Sequence, residues 1–535
     1  MQITEVLTTS KIIVKTLQKL GVDAVFGYPG RAVLGIYDEL SKQNDIKHYL
    51  LRHEQSAVHA AEGYARISGK CGFVIVTSGP GASNTVTGLV NAYLDGFPVV
   101  VISGQVDSRL SGKNSFQEIN FTEMVKSCTK AAFKIERAAE LESTLLQAYL
   151  IAMSGKKGPV VIDIPQNILL EETEYKNLAL PSDKTGEVSS LDVIRVLEVL
   201  NSSKSPLIVC GGGVLQAKAS KELLQLVNRT NIPLVSTMMG LGAFPQIHPN
   251  YAGMIGIFGD KAANELLLNS DTLLVFGARF NDRITDAFNS KELNSKTIIQ
   301  VDINSKELIL NLSSDIPLNI DIKGFLKALL NNLPESLHFE YSPAQISTER
   351  VVEENLTAAK IMKALYTFTN DFAPVIAAEV GQHQISLVKN YKFNSPGKLL
   401  VSGGLGAMGF GFPAAIGASI ANGNKQPVVL VTGDGSFQMN LSELAVCKEN
   451  NLPVKILVIN NSGLGMVRQL QDEQFGQRHY ETELTNPDFV LLAKSYGIDA
   501  VRVVREDEVI PALEKAFETE SPFVIEFVTD SEEVV

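Results

Sequence analysis

Short apolar runs alternate with segments of helical spacing along the first third of the chain. Because strands that alternate with helices form βαβ units, this pattern predicts a parallel, doubly wound sheet. The predicted strands are residues 24–26, 72–77, 99–103 and 160–164.

The same pattern restarts twice, after polar linkers at residues 171–190 and 334–355. A chain of 535 residues is also long enough for about three domains. We therefore predict an α/β fold with three doubly wound parallel-sheet domains. Their predicted bounds are residues 1–175, 190–335 and 355–535.

The stretch from residue 428 to residue 461 is the most informative part of the chain. An apolar run at 428–431 leads into Gly433-Asp434-Gly435, then helical spacing over 436–449, then a second apolar run that ends in Asn460-Asn461. This predicts a strand-helix-strand unit with a right-handed crossover. Asp434 and Asn461 follow the carboxyl ends of parallel strands, where open α/β sheets bind ligands. Their oxygens suit Mg²⁺, which could hold a diphosphate; the alternative is a tight turn with a solvated Asp.

Residues 74–105 and 429–461 read alike, as strand, glycine turn, helix, proline and strand. The first and third predicted domains therefore look like distant repeats. Two related domains that flank a middle one suggest a ligand between them. The alternative is the general similarity of all α/β segments.

Composition narrows the classes of partner and location. The chain is 45% hydrophobic and 20% charged, with a net charge of −12, which argues against nucleic acid or an anionic membrane as a partner. The four cysteines have no CxxC spacing, so reduced core thiols are expected. The N-terminus predicts an amphipathic helix and not a signal peptide, and no apolar stretch could span a bilayer. A cytoplasmic location is therefore expected.

Candidate chemistry in the first predicted domain follows the strand ends. Glu54 lies between a short predicted strand, 49–51, and an alanine-rich predicted helix, 57–67. A carboxylate near a helix N-terminus is electrostatically favourable, so Glu54 has either a structural or a catalytic role. Phe116 and Gln117 lie in a loop, where they either pack or present an aromatic wall and a hydrogen-bond donor to a substrate.

Glycine-rich loops mark the other two predicted domains. Gly211-Gly212-Gly213 follows an apolar run and would let the backbone approach a phosphate or a flavin, although three glycines are a weak signal. Arg279 and Arg283, in one later loop, could meet a diphosphate. A middle domain that is only structural is the alternative. In the third predicted domain, Met408 stands in a glycine-rich turn, either as filler or as a wedge beneath a cofactor.

With these residues in hand, the chain resembles the catalytic subunit of acetohydroxyacid (acetolactate) synthase, a thiamine-diphosphate-dependent family, along nearly its whole length. The matching runs include RHEQSAVHAAEGYAR, TSGPGASNTVTGL, SFQE, GARFNDR, EVGQHQ, GGLGAMGFGFPAAIGAS, and GDGSFQMN through NNSGLGMV. The resemblance implies pyrimidine-binding, middle and diphosphate-binding domains in a homodimer or homotetramer with shared active sites. The implied reaction is decarboxylation of pyruvate and addition of the two-carbon unit to a second 2-keto acid, giving 2-acetolactate.

The resemblance also implies roles for individual residues. Glu54 would activate the cofactor by hydrogen bonding to its pyrimidine ring. Mg²⁺ would be bound by Asp434, Asn461 and the carbonyl of Gly463. The residues implied at the substrate are Phe116, Gln117, Arg31, Ala32 and Leu470. Those implied at thiamine diphosphate are Pro29, Gly79, Asn84, Val380, Gly381, Gln382, His383, Gly406, Met408, Gly433, Gly435, Ser436 and Met466. Those implied at FAD, with no redox role, are Gly211, Gly212, Gly213, Thr237, Met238, Gly256, Gly277, Arg279, Arg283, Asp302 and Ile303.

Several positions depart from the family pattern. Leu470 replaces a tryptophan that shapes the acceptor pocket, Arg31 replaces a glycine near the substrate entrance, Gln166 replaces a lysine and Phe258 replaces a histidine in the flavin loop. The sequence also ends at Val535, without the tail that closes the site in biosynthetic members. These departures put the acceptor and a regulatory subunit in doubt. The rival interpretation keeps the pyruvate chemistry but uses another ketone acceptor, such as a nucleotide-linked keto-sugar; a pyruvate oxidase, a decarboxylase or a non-catalytic scaffold is less favoured.

Overall fold

The computed structural model describes residues 5–180, 188–342, 355–530 and 533–534. It contains three six-stranded sheets, in each of which every neighbouring pair of strands is parallel, and one small antiparallel pair. The predicted α/β class with three parallel-sheet domains is confirmed. Parts of the predicted linkers at 171–190 and 334–355, the first four residues of the predicted N-terminal helix, and Val535 lie outside the described residues.

The first sheet has the strand order β3-β2-β4-β5-β7-β6, and β1 pairs with β8 beside it. The strands are β1 (Glu5–Thr8), β2 (Ala24–Tyr28), β3 (Lys47–Leu50), β4 (Gly72–Val76), β5 (Val99–Gln105), β6 (Ala131–Lys134), β7 (Val160–Pro165) and β8 (Glu172–Tyr175). The helices are α1 (Thr9–Lys19), α2 (Leu34–Leu40), α3 (Glu54–Ser68), α4 (Pro80–Ser83), α5 (Val86–Asp95), α6 (Phe121–Met124), α7 (Leu141–Met153) and α8 (Gln166–Leu170).

The second sheet has the order β11-β10-β9-β12-β13-β14. Its strands are β9 (Pro206–Cys210), β10 (Leu234–Ser236), β11 (Tyr251–Met254), β12 (Thr272–Phe276), β13 (Thr297–Val301) and β14 (Ile316–Leu318). The helices are α9 (Ser190–Ser202), α10 (Gly212–Gln216), α11 (Ser220–Thr230), α12 (Lys261–Asn269), α13 (Asp282–Thr285), α14 (Ser290–Asn294) and α15 (Ile322–Asn332). This order reverses direction between β9 and β12, as in dinucleotide-binding folds.

The third sheet has the order β16-β15-β17-β18-β20-β19. Its strands are β15 (Val375–Ala378), β16 (Leu399–Leu400), β17 (Val428–Gly433), β18 (Val454–Asn460), β19 (Asp499–Val503) and β20 (Phe523–Val528). The helices are α16 (Ala358–Thr369), α17 (Gln382–Asn390), α18 (Gly411–Ala421), α19 (Asp434–Gln438), α20 (Leu444–Glu449), α21 (Gly465–Phe475), α22 (Phe489–Ser495) and α23 (Val509–Phe517). Counted from its own first strand, this sheet has the same order as the first sheet, which agrees with the predicted repeat.

The first and third sheets are joined through α3 and α18. A Cβ atom on Gly63 would lie 2.2 Å from the carbonyl oxygen of Ala414, and one on Gly417 would lie 1.8 Å from that of Ala60. Only glycine permits these two backbones to approach so closely. Buried residues of both helices and both sheets then form one apolar core.

Two predicted helices are wrong in more than their first or last residues. The predicted helix over 436–449 is broken into α19, a 3-10 turn at Leu441–Glu443 and α20. The Asn440 side chain donates to the carbonyl of Gly409, and the Glu443 carboxylate accepts from the backbone N–H of Arg52 at 3.1 Å, so tertiary contacts interrupt the helix. Residues 5–8 of the predicted N-terminal helix form β1, because they pair with β8.

Candidate functional site

One half of the site lies at the carboxyl ends of β15 and β17, where the strand order of the third sheet reverses. A cavity of about 70 Å³ opens there. The N-terminus of α17 also meets it at Gly381, which has a φ of +150° and so a conformation that favours glycine. The predicted residues that line this cavity are Val380, Gly381, Gln382, His383, Met408, Gly433, Asp434, Gly435, Ser436, Asn461, Gly463 and Met466.

His383 shapes this cavity as a neutral side chain. Burial lowers its pKa to about 4, and its Nε2 accepts a hydrogen bond from the backbone N–H of Gly433 at 3.2 Å. A Cβ atom on Gly433 would lie 2.9 Å from the His383 ring, so the turn and the ring fit only with glycine at this position. Ser436 adds a hydrogen bond from its hydroxyl to the carbonyl of Val380 at 3.3 Å. These contacts within the chain hold the segment after β15 against the end of β17.

Asp434 is the acidic group of this half-site. It is 1% exposed, and burial raises the pKa of its carboxyl, while hydrogen bonds from Asn486 and from backbone N–H groups oppose that rise. Asn461 and Gly463 line the same cavity. Backbone hydrogen bonds fix the turn that carries them, from Leu464 to Thr482 at 2.8 Å and from Leu484 to Ser462 at 2.9 Å. A carboxylate, an amide and a carbonyl oxygen form a donor set that suits a hard divalent cation.

The other half of the site surrounds Glu54, which is the first residue of α3. Its Oε2 accepts a hydrogen bond from Asn84 Nδ2 at 3.0 Å, and a Cβ atom on Gly81 would lie 3.4 Å from its Oε1. The predicted helix starts three residues too late, so Glu54 is the first helical residue and not part of a preceding loop. The carboxylate is therefore oriented by the helix start and by Asn84.

The predicted substrate residues of the first sheet lie near this half. Gln117 has a φ of +63°. A Cβ atom added to Gly79 would lie 2.8 Å from the Cβ atom of Gln117, so the two residues are in close contact. The Phe116 side chain is 85% exposed. Pro29, Arg31 and Ala32 follow β2; Arg31 is exposed, while Ala32 is buried and donates its N–H to Thr77 Oγ1 at 3.3 Å.

In the described part of the chain, the two halves share neither of the two cavities. The small cavity is lined by residues of the third sheet and its neighbouring loops, and neither Glu54 nor the predicted substrate residues of the first sheet line it or the larger cavity described next. The structure therefore brings the predicted residues together as two separate groups.

A larger cavity, the groove, lies where the strand order of the second sheet reverses. It has a volume of about 1040 Å³ and extends to the third sheet at Gly406, Met466 and Leu470. Leu470 lies on α21 and is 42% exposed. All residues of α21 are described, and none of them is buried. The predicted flavin residues that line the groove are Gly212, Gly213, Thr237, Met238, Gly277, Arg279, Arg283, Asp302 and Ile303.

Two predicted flavin glycines do not line the groove. A Cβ atom on Gly211 would lie 2.1 Å from the carbonyl oxygen of Gly277, and one on Gly256 would lie 2.5 Å from that of Arg283. Both glycines therefore allow neighbouring loops to pack against each other. Phe258 lines the groove, whereas Gln166 is the first residue of α8 and does not.

Charged residues that the sequence did not single out also line the groove. Burial lowers the pKa of Lys156, which lies 3.7 Å from Glu307. In Asp302, a predicted flavin residue that lines the same groove, burial raises the pKa to about 6. Arg66 and Asp95 form a buried ion pair at 2.6 Å. Asp95 accepts from the backbone N–H of Gly404 at 2.7 Å, which ties the first sheet to the loop that carries Gly406.

Glu379, which directly follows β15, is a residue of the half-site that contains Asp434, and the sequence predicts no role for it. It is fully buried, and it accepts from the backbone N–H groups of Gly409 at 2.8 Å and Phe412 at 3.0 Å. Burial raises the pKa of this carboxyl to about 7. Glu379 therefore holds the turn that follows Met408. In the sequence, the only sign of this role is that an acid directly follows the apolar run at 375–378.

Comparison with known proteins accounts for this arrangement. Three thiamine pyrophosphate enzyme domains match the chain: the N-terminal binding domain over residues 7–124, the central domain over 193–329 and the C-terminal binding domain over 379–527. No helix among the described residues is long and apolar enough to cross a membrane.

Curated relatives match along nearly the full chain. The acetolactate synthase large subunit of Haemophilus influenzae is 38% identical, with 97% of this chain and 93% of the relative covered. The probable acetolactate synthase large subunit of Methanocaldococcus jannaschii is 38% identical (98% and 92% covered), and the isozyme 2 large subunit of Escherichia coli is 37% identical (98% and 96% covered). The chain therefore belongs to the thiamine pyrophosphate enzymes and, among them, to the acetolactate synthase large-subunit family.

Proposed function

We propose that this enzyme decarboxylates pyruvate with thiamine diphosphate and adds the resulting two-carbon unit to a second 2-keto acid, giving 2-acetolactate. The observation that carries this proposal is the pair of half-sites: an oriented carboxylate at Glu54, and a cavity bordered by Asp434 and the α17 N-terminus. Product analysis with pyruvate as the sole substrate tests it.

The residues present fit the cofactor and its cation. The α17 N-terminus and the glycine turns offer backbone N–H groups to a diphosphate, and Asp434, Asn461 and the Gly463 carbonyl would hold Mg²⁺. Among the described residues no cluster of three or more His, Cys, Asp or Glu could hold a metal by itself. Asp434, Asn461 and the Gly463 carbonyl would supply three ligands, fewer than a divalent cation takes, so a bound cation would keep positions open for a diphosphate.

The chain's own residues orient the reactants and control protons. When bound, thiamine diphosphate supplies the electron sink for the decarboxylation. Glu54 would hold a proton on its carboxyl oxygen against the pyrimidine ring, and Asn84 keeps that carboxyl in place. Met408 and Met466 present apolar surface at the cavity and would exclude water from the reacting atoms. Phe116 and Gln117 would contact the keto acid.

A homodimer would complete each site. Glu54 does not line the cavity at Asp434, and apolar side chains are exposed on the elements next to both: Leu110 and Phe116 between β5 and α6, and Met439 and Phe475 at the ends of α19 and α21. Contact with a second protomer would remove this apolar surface from water. We propose that the first sheet of one protomer faces the third sheet of its partner, in a homodimer or a homotetramer built from such dimers.

The groove is proposed to bind FAD without a redox role. Its position at the reversal of a β11-β10-β9-β12-β13-β14 sheet is where dinucleotides bind in such folds. Lys156, Arg279 and Arg283 provide positive charge for a diphosphate. We expect the purified protein, after incubation with FAD and gel filtration, to retain flavin absorbance. A colourless protein would contradict this assignment.

A second candidate function uses the same pyruvate chemistry but a different ketone as the acceptor of the two-carbon unit. Leu470 lines the end of the groove that reaches Met466, and Arg31 is exposed near the Glu54 half. In the proposed dimer, Leu470 of one protomer and Arg31 of its partner would border the same site. An open pocket with a cation beside it would suit a larger, anionic ketone acceptor, such as a nucleotide-linked keto-sugar. This second candidate predicts slow release of carbon dioxide and little acetolactate from pyruvate alone.

Replacing Leu470 with tryptophan should change acceptor preference. A larger apolar surface would contact the extra methyl group of 2-ketobutyrate, and one such contact is worth about 1–3 kcal/mol, or about 10–200-fold in specificity. We expect the preference for 2-ketobutyrate over pyruvate, measured by direct competition, to rise by at least about tenfold. Leu491→Trp, on an exposed position of α22, is the matched control. An unchanged ratio would show that Leu470 does not face the acceptor.

The domain bounds of 1–175, 190–335 and 355–535 are retained as proposals. The three sheets span Ala24–Pro165, Pro206–Leu318 and Val375–Val528, which supports them. Limited proteolysis should cut first within 171–190 and 334–355. Early cleavage inside a sheet would contradict these bounds.

Partners and location are also proposals. The relatives' names include the term large subunit, which implies a smaller partner for those proteins. Full activity of this chain without a second protein would argue against such a regulatory subunit here. The four cysteines are free and buried, which suits a reducing compartment such as the cytoplasm.

A further inference from the structure

Asn486, in the loop between α21 and α22, lies against the ends of β17 and β18. Its Nδ2 donates to Asp434 Oδ2 at 2.6 Å and to Asn460 Oδ1 at 2.9 Å. Asp434 and Asn460 are both buried, and Asn486 is partly buried. One amide group therefore joins the carboxylate at the end of β17 to the asparagine at the end of β18.

The orientation of the Asn486 amide is fixed from both sides. Gln438 Nε2 donates to Asn486 Oδ1 at 2.8 Å, so the amide oxygen faces a donor while the amide nitrogen faces two acceptors. A flipped amide would place its nitrogen against the Gln438 nitrogen and its oxygen against two oxygens, losing all three hydrogen bonds. Asn486 is thus a fixed donor towards the carboxylate.

Asn460 extends the same network into the sheet. Its Nδ2 donates to Glu526 Oε1 at 2.7 Å, and its Oδ1 also accepts from the backbone N–H of Ser462 at 3.1 Å. Arg502 then pairs with Glu526 at 2.7 Å and with Asp488 at 3.1 Å. The segment that carries Asn486 is therefore anchored twice to the strands whose ends form the cavity.

A carboxylate with one oxygen held by a donor cannot rotate freely. The hydrogen bond from Asn486 holds Oδ2 of Asp434 and so also sets the direction of its second oxygen, Oδ1. Groups that orient a metal ligand in this way are known to change metal affinity although they do not touch the ion. Asn460 would in turn help to set the turn before Asn461 and Gly463.

We propose that Asn486 is a positioning residue for the divalent cation, because it fixes Asp434 in the orientation that binds the metal. This rests on the Mg²⁺ site proposed above. Asn460 acts with it by sharing the same donor. No role for Asn486 follows from the motif that contains Asp434, since Asn486 lies 52 positions away along the chain.

The test is a titration of the full-length protein with Mn²⁺ in the presence of thiamine diphosphate, with free Mn²⁺ followed by electron paramagnetic resonance. For Asn486→Leu we expect the dissociation constant for Mn²⁺ to rise by about 10–100-fold. Asn332→Leu is the matched control, because Asn332 is exposed at the end of α15 and its Nδ2 donates to the carbonyl of Ala328 in the same helix. The affinity of that variant should equal that of the unmodified protein.

The outcomes separate this proposal from the metal site itself. If Asp434→Asn loses Mn²⁺ binding but Asn486→Leu retains the normal affinity, the positioning role is wrong and the site stands. If the unmodified protein binds no Mn²⁺ with the cofactor, the site is wrong as well. Should Asn486→Leu fail to fold, Gln438→Leu replaces it; a smaller rise in the same dissociation constant is expected, and an unchanged value would overturn the proposal.

Discussion

Replacing Glu54 with glutamine is expected to lower the turnover number with pyruvate by about 10²–10⁴-fold. Glutamine keeps the size of the side chain and can still accept the hydrogen bond from Asn84 Nδ2. It cannot hold an acidic proton against the cofactor ring. The loss should therefore appear in turnover, while binding of thiamine diphosphate, measured by calorimetry, changes little.

A purely structural role for Glu54 makes a different prediction. A carboxylate at a helix N-terminus contributes about 0.3–1 kcal/mol, so its removal would lower the melting temperature slightly and leave turnover intact. Glu123→Gln, in the first turn of α6, makes the same change at an exposed helix start and serves as the control. Normal turnover of Glu54→Gln would contradict the proposed activation step.

Replacing Asp434 with asparagine should abolish turnover at ordinary Mg²⁺ concentrations. This variant loses the only carboxylate proposed to bind the cation, so its loss of metal affinity should exceed the about 10–100-fold typical of residues that only orient a ligand. Stabilisation by the cofactor and Mg²⁺ should disappear from its thermal melting curve, because that stabilisation depends on binding to the folded chain.

The stability of the cofactor-free Asp434→Asn protein should move in the opposite direction. Burial raises the pKa of Asp434 in the folded state, so its ionised form opposes folding once the pH exceeds that pKa. Stability is therefore lost as the pH rises through the folded-state pKa, and above that pKa the asparagine variant should melt at the same or a higher temperature. A clear drop would show that Asp434 is needed for the fold itself.

The two variants together test the shared active site. A hybrid dimer of one Glu54→Gln chain and one Asp434→Asn chain contains one intact site if each site combines the two protomers. Co-expression with different affinity tags should therefore restore activity that neither variant has alone. An inactive hybrid would place both residues in a site within one chain.

Much of the fold and part of the site could be predicted because their signals are local. The alternation of strands and helices gives three parallel sheets, and the aligned stretches at 74–105 and 429–461 anticipate the shared strand order of the outer sheets. Asp434 and Asn461 each follow an apolar run within three positions, so their place at a sheet edge can be predicted from the sequence. Glu54 could be placed near a helix start in the same way.

Other features depend on contacts between distant segments. Asn486 meets Asp434 across 52 positions, and Arg66 donates to the carbonyl of Val401 across 335 positions. The break in the predicted helix at 436–449 arises from Asn440 and Glu443 binding other parts of the chain. The sequence predicts that Gly211 binds a ligand, but in the structure Gly211 packs against the backbone of Gly277. No spacing along the sequence carries this information.

The most direct test of the proposed activity is mass spectrometry of the products formed from pyruvate alone, with thiamine diphosphate, Mg²⁺ and FAD present. The proposed function predicts 2-acetolactate as the main product, and none from Glu54→Gln beyond its residual turnover. Slow release of carbon dioxide with little acetolactate would contradict it and point to a different ketone acceptor. Acetaldehyde or oxygen-dependent peroxide as the main product would instead show a decarboxylase or an oxidase.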